Sequence, residues 1–389
     1  MPLTRTLIAA RPAVAAFAAM GVVWGTFAAV LPDLKTMLGV DEARLGLLML
    51  MTPIAAVLAM LAAPRAGAAL GRVALPVATV AMALAFALPG QVAVVWAFPL
   101  AMMACGAATG LTDVLMNART AQIETSRDLH LMNLTHAAYS FGYAGAAIGT
   151  GALRGAGWSP GWVMGTMAAV ALVMALATWE RDGLIEGLVR PKGSKGGGGL
   201  GLLPVIGGGM VLIAFMTENA AENWSALHIE KTLGGSPEEG SMGPAALALT
   251  MGFARLAGQG IVGRISPYAL LRGGCVISAL GALVASLAAS PAMAYAGFVV
   301  MGIGSSLIAP TTFSLVGRLG PEDQRARAVA RATLLGYFGY FFGPPMLGFV
   351  AGAFGLRAAF VFTALMLLCI LPLSVLMLRA AGRAAFQRA

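Results

Sequence analysis

Glu218 and Glu222 stand four residues apart in AFMTENAAENWSALH, a stretch otherwise suited to hydrocarbon. Residues at that spacing share a helix face. Two carboxylates so close disfavour double ionisation, so that one proton can be shared between them. A charge at the centre of a membrane helix costs about 2.5–3.5 kcal/mol on insertion scales. Such residues persist where they face a cavity, pair with a cation or stay protonated. Of the 16 acidic residues, only Asp113, Glu218 and Glu222 fall inside long apolar runs. The chemistry this points to is proton uptake and release, or cation binding. The structural alternative is an ion pair with Arg255, the basic residue within a run, or a polar cluster at a helix end. Asp113 has Asn117 one turn on, and His136 opens the next run on the same side. A carboxylate and an imidazole there suit an inner proton exit or gate, because imidazole titrates near neutrality. A hydrogen-bonded helix-end cluster is the plainer alternative. Arg255 reads as a partner that switches carboxylates between states, as a static ion pair, or as a snorkelling side chain. His130 and His228 are expected to be solvated.

The elements that must position these groups are membrane helices. The chain has 389 residues, 59% hydrophobic and 11% charged, with mean hydropathy +0.84. Soluble domains carry about 25% charged residues. Apolar runs of about 18–24 residues broken by short charged turns predict helices that span a bilayer, where each must satisfy its own backbone. The predicted spans are 12–32, 43–64, 73–90, 92–116, 134–154 and 160–179, then 203–228, 243–263, 273–290, 294–316, 329–352 and 357–379. The alternating ten-residue pattern of a β-barrel is not seen. Placing the N-terminus in the cytoplasm puts 19 of the 25 basic residues on that side and five on the other, with Arg255 inside a span. That asymmetry predicts both termini cytoplasmic. It also accounts for the net charge of +9 through anionic lipid, without nucleic acid. The opening MPLTRTLIAARPAVAAFAAM imitates a signal peptide, but its apolar run continues to about Val30 and reads as an uncleaved first span. Cys105, Cys275 and Cys369 fall inside spans as packing residues, with no disulfide or metal spacing.

The expected domains are residues 1–180 and 203–389, each of six spans. Between them lies a cytoplasmic linker, 181–202, charged and then glycine-rich. Its GSKGGGG lacks the order of a phosphate loop. The halves repeat weakly at matching places: E-x-x-R at Glu124/Arg127 and Glu322/Arg325, and FGY at 141–143 and 338–340. Gly336, Gly339 and Gly343 lie at helical spacing before Pro344 and Pro345, which predicts close helix approach and a bend.

Twelve spans, a six-plus-six division and a basic central loop resemble the major facilitator superfamily. PRAGAALGR (64–72) is similar to that superfamily's G-x-x-x-D-R-x-G-R turn, with Gly67, Gly71 and Arg72 retained and the acidic residue absent. GLTDVLMNARTAQIE, the His136 and Ser140 of THAAYSFG, and ENAAENWSA resemble a bacterial branch of the superfamily, itself distantly similar to sugar–proton symporters. The resemblance implies an all-α integral membrane fold of two pseudo-symmetric six-helix bundles in a bacterial inner membrane. It also implies a central cavity lined by spans one and seven, where Trp24, Phe27 and Trp224 fall. Aromatic faces stack on sugar rings, although membrane aromatics also serve as interface anchors or lipid-facing filler. Trp224 beside Asn223 is the leading contact candidate, with Asn117 as a further polar group. Tyr337, Tyr340 and Tyr143 follow.

The expected function is secondary transport by two bundles rocking about a midplane site, driven by protons. Glu218 is the expected main coupling carboxylate, assisted by Glu222, Asp113 and His136. One intramembrane arginine cannot grip a phosphate or dicarboxylate, so a small neutral polar, sugar-like solute taken up with protons is favoured. Efflux of an amphipathic or cationic compound is the alternative, which the many methionines would suit. Span five has no proline in GYAGAAIGTG, which counts against drug–proton antiport. A membrane receptor without transport is the third class. No enzyme constellation, cofactor or metal set is visible, and a monomer is expected.

Overall fold

The computed structural model describes residues 3–129, 131–186, 188, 201–258, 265–320 and 324–386. All the regular structure among them is helical: α1 (Leu3–Leu38), α2 (Glu42–Met49), α3 (Met51–Leu70), α4 (Ala74–Phe86), α5 (Phe98–Arg127), α6 (Met132–Gly155), α7 (Pro160–Leu176), α8 (Leu203–Leu233), α9 (Pro237–Gly258), α10 (Pro267–Leu287), α11 (Pro291–Leu319) and α12 (Arg325–Phe386), with two short 3₁₀ turns. The 43–64 run is α2 and α3 together, with a break at Leu50. The last two runs are the arms of α12, which Gly355 breaks with φ 85° and ψ 164°, a conformation open to glycine and closed to most side chains. Most helices run past the predicted ends, α1 to Leu38 and α5 to Arg127 among them, while α4 stops at Phe86, short of 90, and α7 at Leu176, short of 179. Span four starts at Phe98 rather than at residue 92, because Pro99 sits in the first turn of α5. Span nine stops at Leu287, short of 290. The linker residues 189–200, Glu322, His130 and the end of span eight (259–263) lie outside the described residues.

Local chemistry sets the helix starts. Ser266 and Ser290 each accept a hydrogen bond from the backbone three residues on, ahead of Pro267 and Pro291. Ser236 and Glu239 form a reciprocal capping box at the head of α9. Glu124, in the repeated E-x-x-R, accepts from the backbone of Leu131 and Met132 and so caps α6.

Two apolar cores are built from separate stretches of chain. One draws on residues 16–185 around Phe17, Phe86 and Phe98, the other on residues 203–377 around Trp224, Phe298 and Phe360. Many large apolar side chains, Trp162 and Phe354 among them, remain on the outside, as a lipid-facing surface requires. Glycine sets the close approaches within each half. A Cβ on Gly142 would lie 2.5 Å from the Ala18 carbonyl oxygen, and one on Gly339 would lie 2.3 Å from that of Leu212. The repeated FGY thus does the same work twice, letting α6 touch α1 and α12 touch α8. The halves meet over small residues, with Ala28, Ala29, Ala144 and Ala147 against Ala245 and Ala248.

Candidate functional site

A cavity of about 540 Å³ lies between the two halves. Its walls come from α1, α2, α3, α5 and α6 on one side and α8, α9, α11 and α12 on the other. Asp113, His136, Glu218, Glu222, Asn223, Trp24, Tyr337, Tyr340 and Arg255 all line it. Residues from six predicted spans are therefore brought to one space.

The charged groups differ in their partners. Arg255 Nη2 lies 3.3 Å from Glu218 Oε1, and its Nη1 donates to Ser140 Oγ at 3.0 Å. Ser140 belongs to the other half, so this arginine ties a carboxylate of its own half to the facing wall. Tyr337 crosses in the same way and donates to Asp113 Oδ2 at 3.1 Å. Asn117 Nδ2 donates to Asp113 Oδ1 at 3.1 Å and to its backbone oxygen at 2.8 Å. Asn117 is not among the lining residues; it orients Asp113 from behind. Among the described residues no cation or hydrogen-bond donor meets the Glu222 carboxylate. His136 packs edge-on against Phe17, with ring centroids 4.9 Å apart. Phe215 stacks on Tyr340 with centroids 4.9 Å apart, which forms an aromatic wall with Tyr337.

Three aromatic placements depart from expectation. Trp224 is fully buried in the core of the second half and does not line the cavity. Glu218, Asn219, Glu222 and Asn223 share the cavity-facing side of α8, and at about 100° per residue the next position turns from the cavity into the second core. Phe27 is also fully buried, packed behind Trp24 and against Phe86. Tyr143 is buried in the alanine contact between the halves. His228, expected in solvent, is buried with Nε2 3.0 Å from the Ala285 carbonyl oxygen and its ring against Phe360.

The end of the molecule that carries Arg154 is closed by charge. Arg154 is bidentate to Asp33, at 2.7 Å to each oxygen, and bidentate to Glu230 at 2.7 and 2.9 Å. It also reaches the Ala29 and Pro237 carbonyls. Asp33 and Arg154 belong to the first half, and Glu230 and Pro237 to the second. Lys231 pairs with Glu42 across the same seam. Sequence reasoning missed this cluster. The available signal was that Arg154 is one of only five basic residues counted on that side.

A protein of known family matches this chain closely enough to decide the family. An MFS-type transporter of Yersinia pestis is 31% identical over 360 residues, which covers 91% of this chain and 92% of the relative. The chain belongs to the major facilitator superfamily. The family model described as Major Facilitator Superfamily matches residues 206–387. Among solved structures, a bacterial homologue of the human lysosomal transporter Spinster, inward-facing and unoccupied, superposes with TM-score 0.75 at 17% identity, covering 98% of both chains. The inward-open xylose transporter XylE from E. coli gives 0.70 at 13% identity, covering 95% of both. This major facilitator protein is therefore a multi-pass membrane transporter with the two-bundle fold of its superfamily.

Proposed function

We propose that this chain is a proton-coupled secondary transporter that takes up a small neutral polar, ring-bearing solute. The observation that carries the reading is the cavity's unequal charge: three carboxylates from both halves face one arginine, and Glu222 has no hydrogen-bond or ion-pair contact among the described residues. Glu218 is held by Arg255, so the main proton-carrying role passes from Glu218 to Glu222. Glu218 and Arg255 then form a balancing pair beside it. Asp113 and His136 serve the proton on the opposite wall. Trp24, Tyr337 and Tyr340 offer faces for a ring, and Asn223 offers an amide. XylE is a xylose transporter of the same fold, which agrees with a sugar-like cargo. In this reading the chain is a monomer in a bacterial inner membrane with both termini cytoplasmic. Residues 1–180 and 203–389 rock about the cavity and 181–202 link them.

The surplus of carboxylates also favours a second reading, exchange of an organic cation against protons. Proteoliposomes with an imposed pH gradient separate the two. Symport moves solute in the direction of the protons, exchange moves it against them, and a receptor moves nothing. A gradient of about one pH unit supports about tenfold accumulation at one proton per solute. Glu222→Gln is expected to lose that accumulation and keep solute counterflow. Undiminished accumulation by Glu222→Gln would remove this residue from the coupling step.

A further inference from the structure

The charges around the cavity are gathered on part of its wall. Every carboxylate, the imidazole and the guanidinium among the lining residues stand on α5, α6, α8 or α9. The stretch contributed by α2 and α3 is of another kind: Met49, Thr52, Pro53, Ala56, Val57 and Met60. Five of the six are apolar. The hydroxyl oxygen of Thr52 is shut off from open space, so what this residue adds to the surface is carbon.

The helix fixes this face. Positions 53, 56, 57 and 60 recur at the three- and four-residue spacing that keeps side chains on one side of a helix. All four are partly exposed and line the cavity. Leu58 and Leu61, on the other flank of α3, are exposed and take no part in the lining. The rotation of α3 thus sends leucines to lipid and turns Pro53, Ala56, Val57 and Met60 inward. On α8 the same spacing turns Glu218 and Glu222 inward. One helical period therefore builds two faces of the cavity with opposite chemistry.

A solute that fills a space between unlike walls must itself be two-faced. A ring with hydroxyls all round its edge would give up water against α3 and gain no hydrogen bond there, which is costly. A ring with an alkyl or aryl substituent loses no hydrogen bond at that wall and gains about fourfold in affinity per buried methylene. The thioethers of Met49 and Met60 adapt to groups of varied shape and meet ring edges favourably. The cavity, at about 540 Å³, lies in the range of about 300–1,000 Å³ that encloses drug-sized ligands, so ring and substituent fit together.

We propose that the α3 wall is an apolar subsite and that the solute is a hydroxylated ring bearing an alkyl or aryl group, with its hydroxyl edge toward α8 and α9 and its apolar group against Val57 and Met60. This rests on the neutral-solute reading above and names the class of solute within it.

The test uses the full chain in proteoliposomes with D-xylose and D-glucose and the methyl, ethyl, propyl and phenyl β-glycosides of each, read as the uptake that an imposed pH gradient adds. In the wild type the half-saturating concentration is expected to fall about fourfold with each methylene from methyl to propyl. Val57→Ser combined with Met60→Gln makes the wall polar and should flatten that series. Leu58→Ala, on the lipid flank, should leave the series as in wild type. Monodispersity and melting temperature check that the variants are folded, and the wild-type series tests the subsite without them. Carriage of the glycosides with the bare sugars refused would support the subsite. Equal half-saturation for a carried bare sugar and its propyl glycoside would overturn it and leave the neutral-solute reading intact. A steep series that a folded double variant keeps would put the apolar contact elsewhere and overturn the assignment to α3. Carriage of no sugar or glycoside overturns the subsite, and gradient-driven exchange of tetraethylammonium in the same vesicles would overturn the neutral-solute reading with it.

Discussion

Replacing Arg154 by glutamine should open the end of the molecule that this residue closes. Its side chain is 1% exposed and makes two short contacts to Glu230 in the opposite half, at 2.7 and 2.9 Å. Charge-assisted hydrogen bonds contribute about 1.5–3 kcal/mol each, and removing one partner of a buried ion pair costs about 3–5 kcal/mol. Asp33 is 31% exposed and Glu230 16%, so water screens part of this and about 3 kcal/mol is the fitting figure. The substitution also leaves Asp33 and Glu230 as two carboxylates with no cation between them, which adds repulsion. A loss of about 3 kcal/mol changes a two-state ratio by about 150-fold, so an open state present at about one in 1,000 rises to about one in eight. Spin labels on cysteines at Ser159 and Thr232, in a Cys369→Ser background, would report the separation across the seam. Cys105 and Cys275 are buried and need no removal. Arg119→Gln is the control, because Arg119 pairs with Glu180 at 2.9 Å within one half. It should lower stability without widening the seam. A distance distribution identical in wild type and Arg154→Gln would refute the argument that this cluster holds the two halves together.

The fold makes further predictions. Trp224→Ala should cost about 3–5 kcal/mol through the cavity it leaves in the second core; a melting temperature in detergent equal to wild type would contradict this placement. Gly339→Ala forces a methyl against the Leu212 carbonyl and should lower the melting temperature, whereas Gly145→Ala, with open space around it, should not. Equal melts for the two would show that α8 and α12 are not in glycine contact. Glu124→Ala removes the cap of α6 and should cost about 1 kcal/mol, read as faster amide exchange at Leu131 and Met132.

Membrane helices were legible because lipid imposes one rule on every segment, that the backbone bond to itself, so apolar length alone locates them. The carboxylates were legible for a related reason. Glu218, Glu222 and Asp113 are costly within such runs, and the structure puts all three at the cavity. What the sequence concealed depends on the angle about a helix and on contacts between distant helices. Trp224 adjoins Asn223 in the chain, yet one step of about 100° turns it from the cavity into the second core, so adjacency misled where helical phase decides. Phe27 failed in the same way behind Trp24. The Arg154 cluster unites residues 76 and 121 positions from Arg154 in the chain, and no local pattern announces such a meeting.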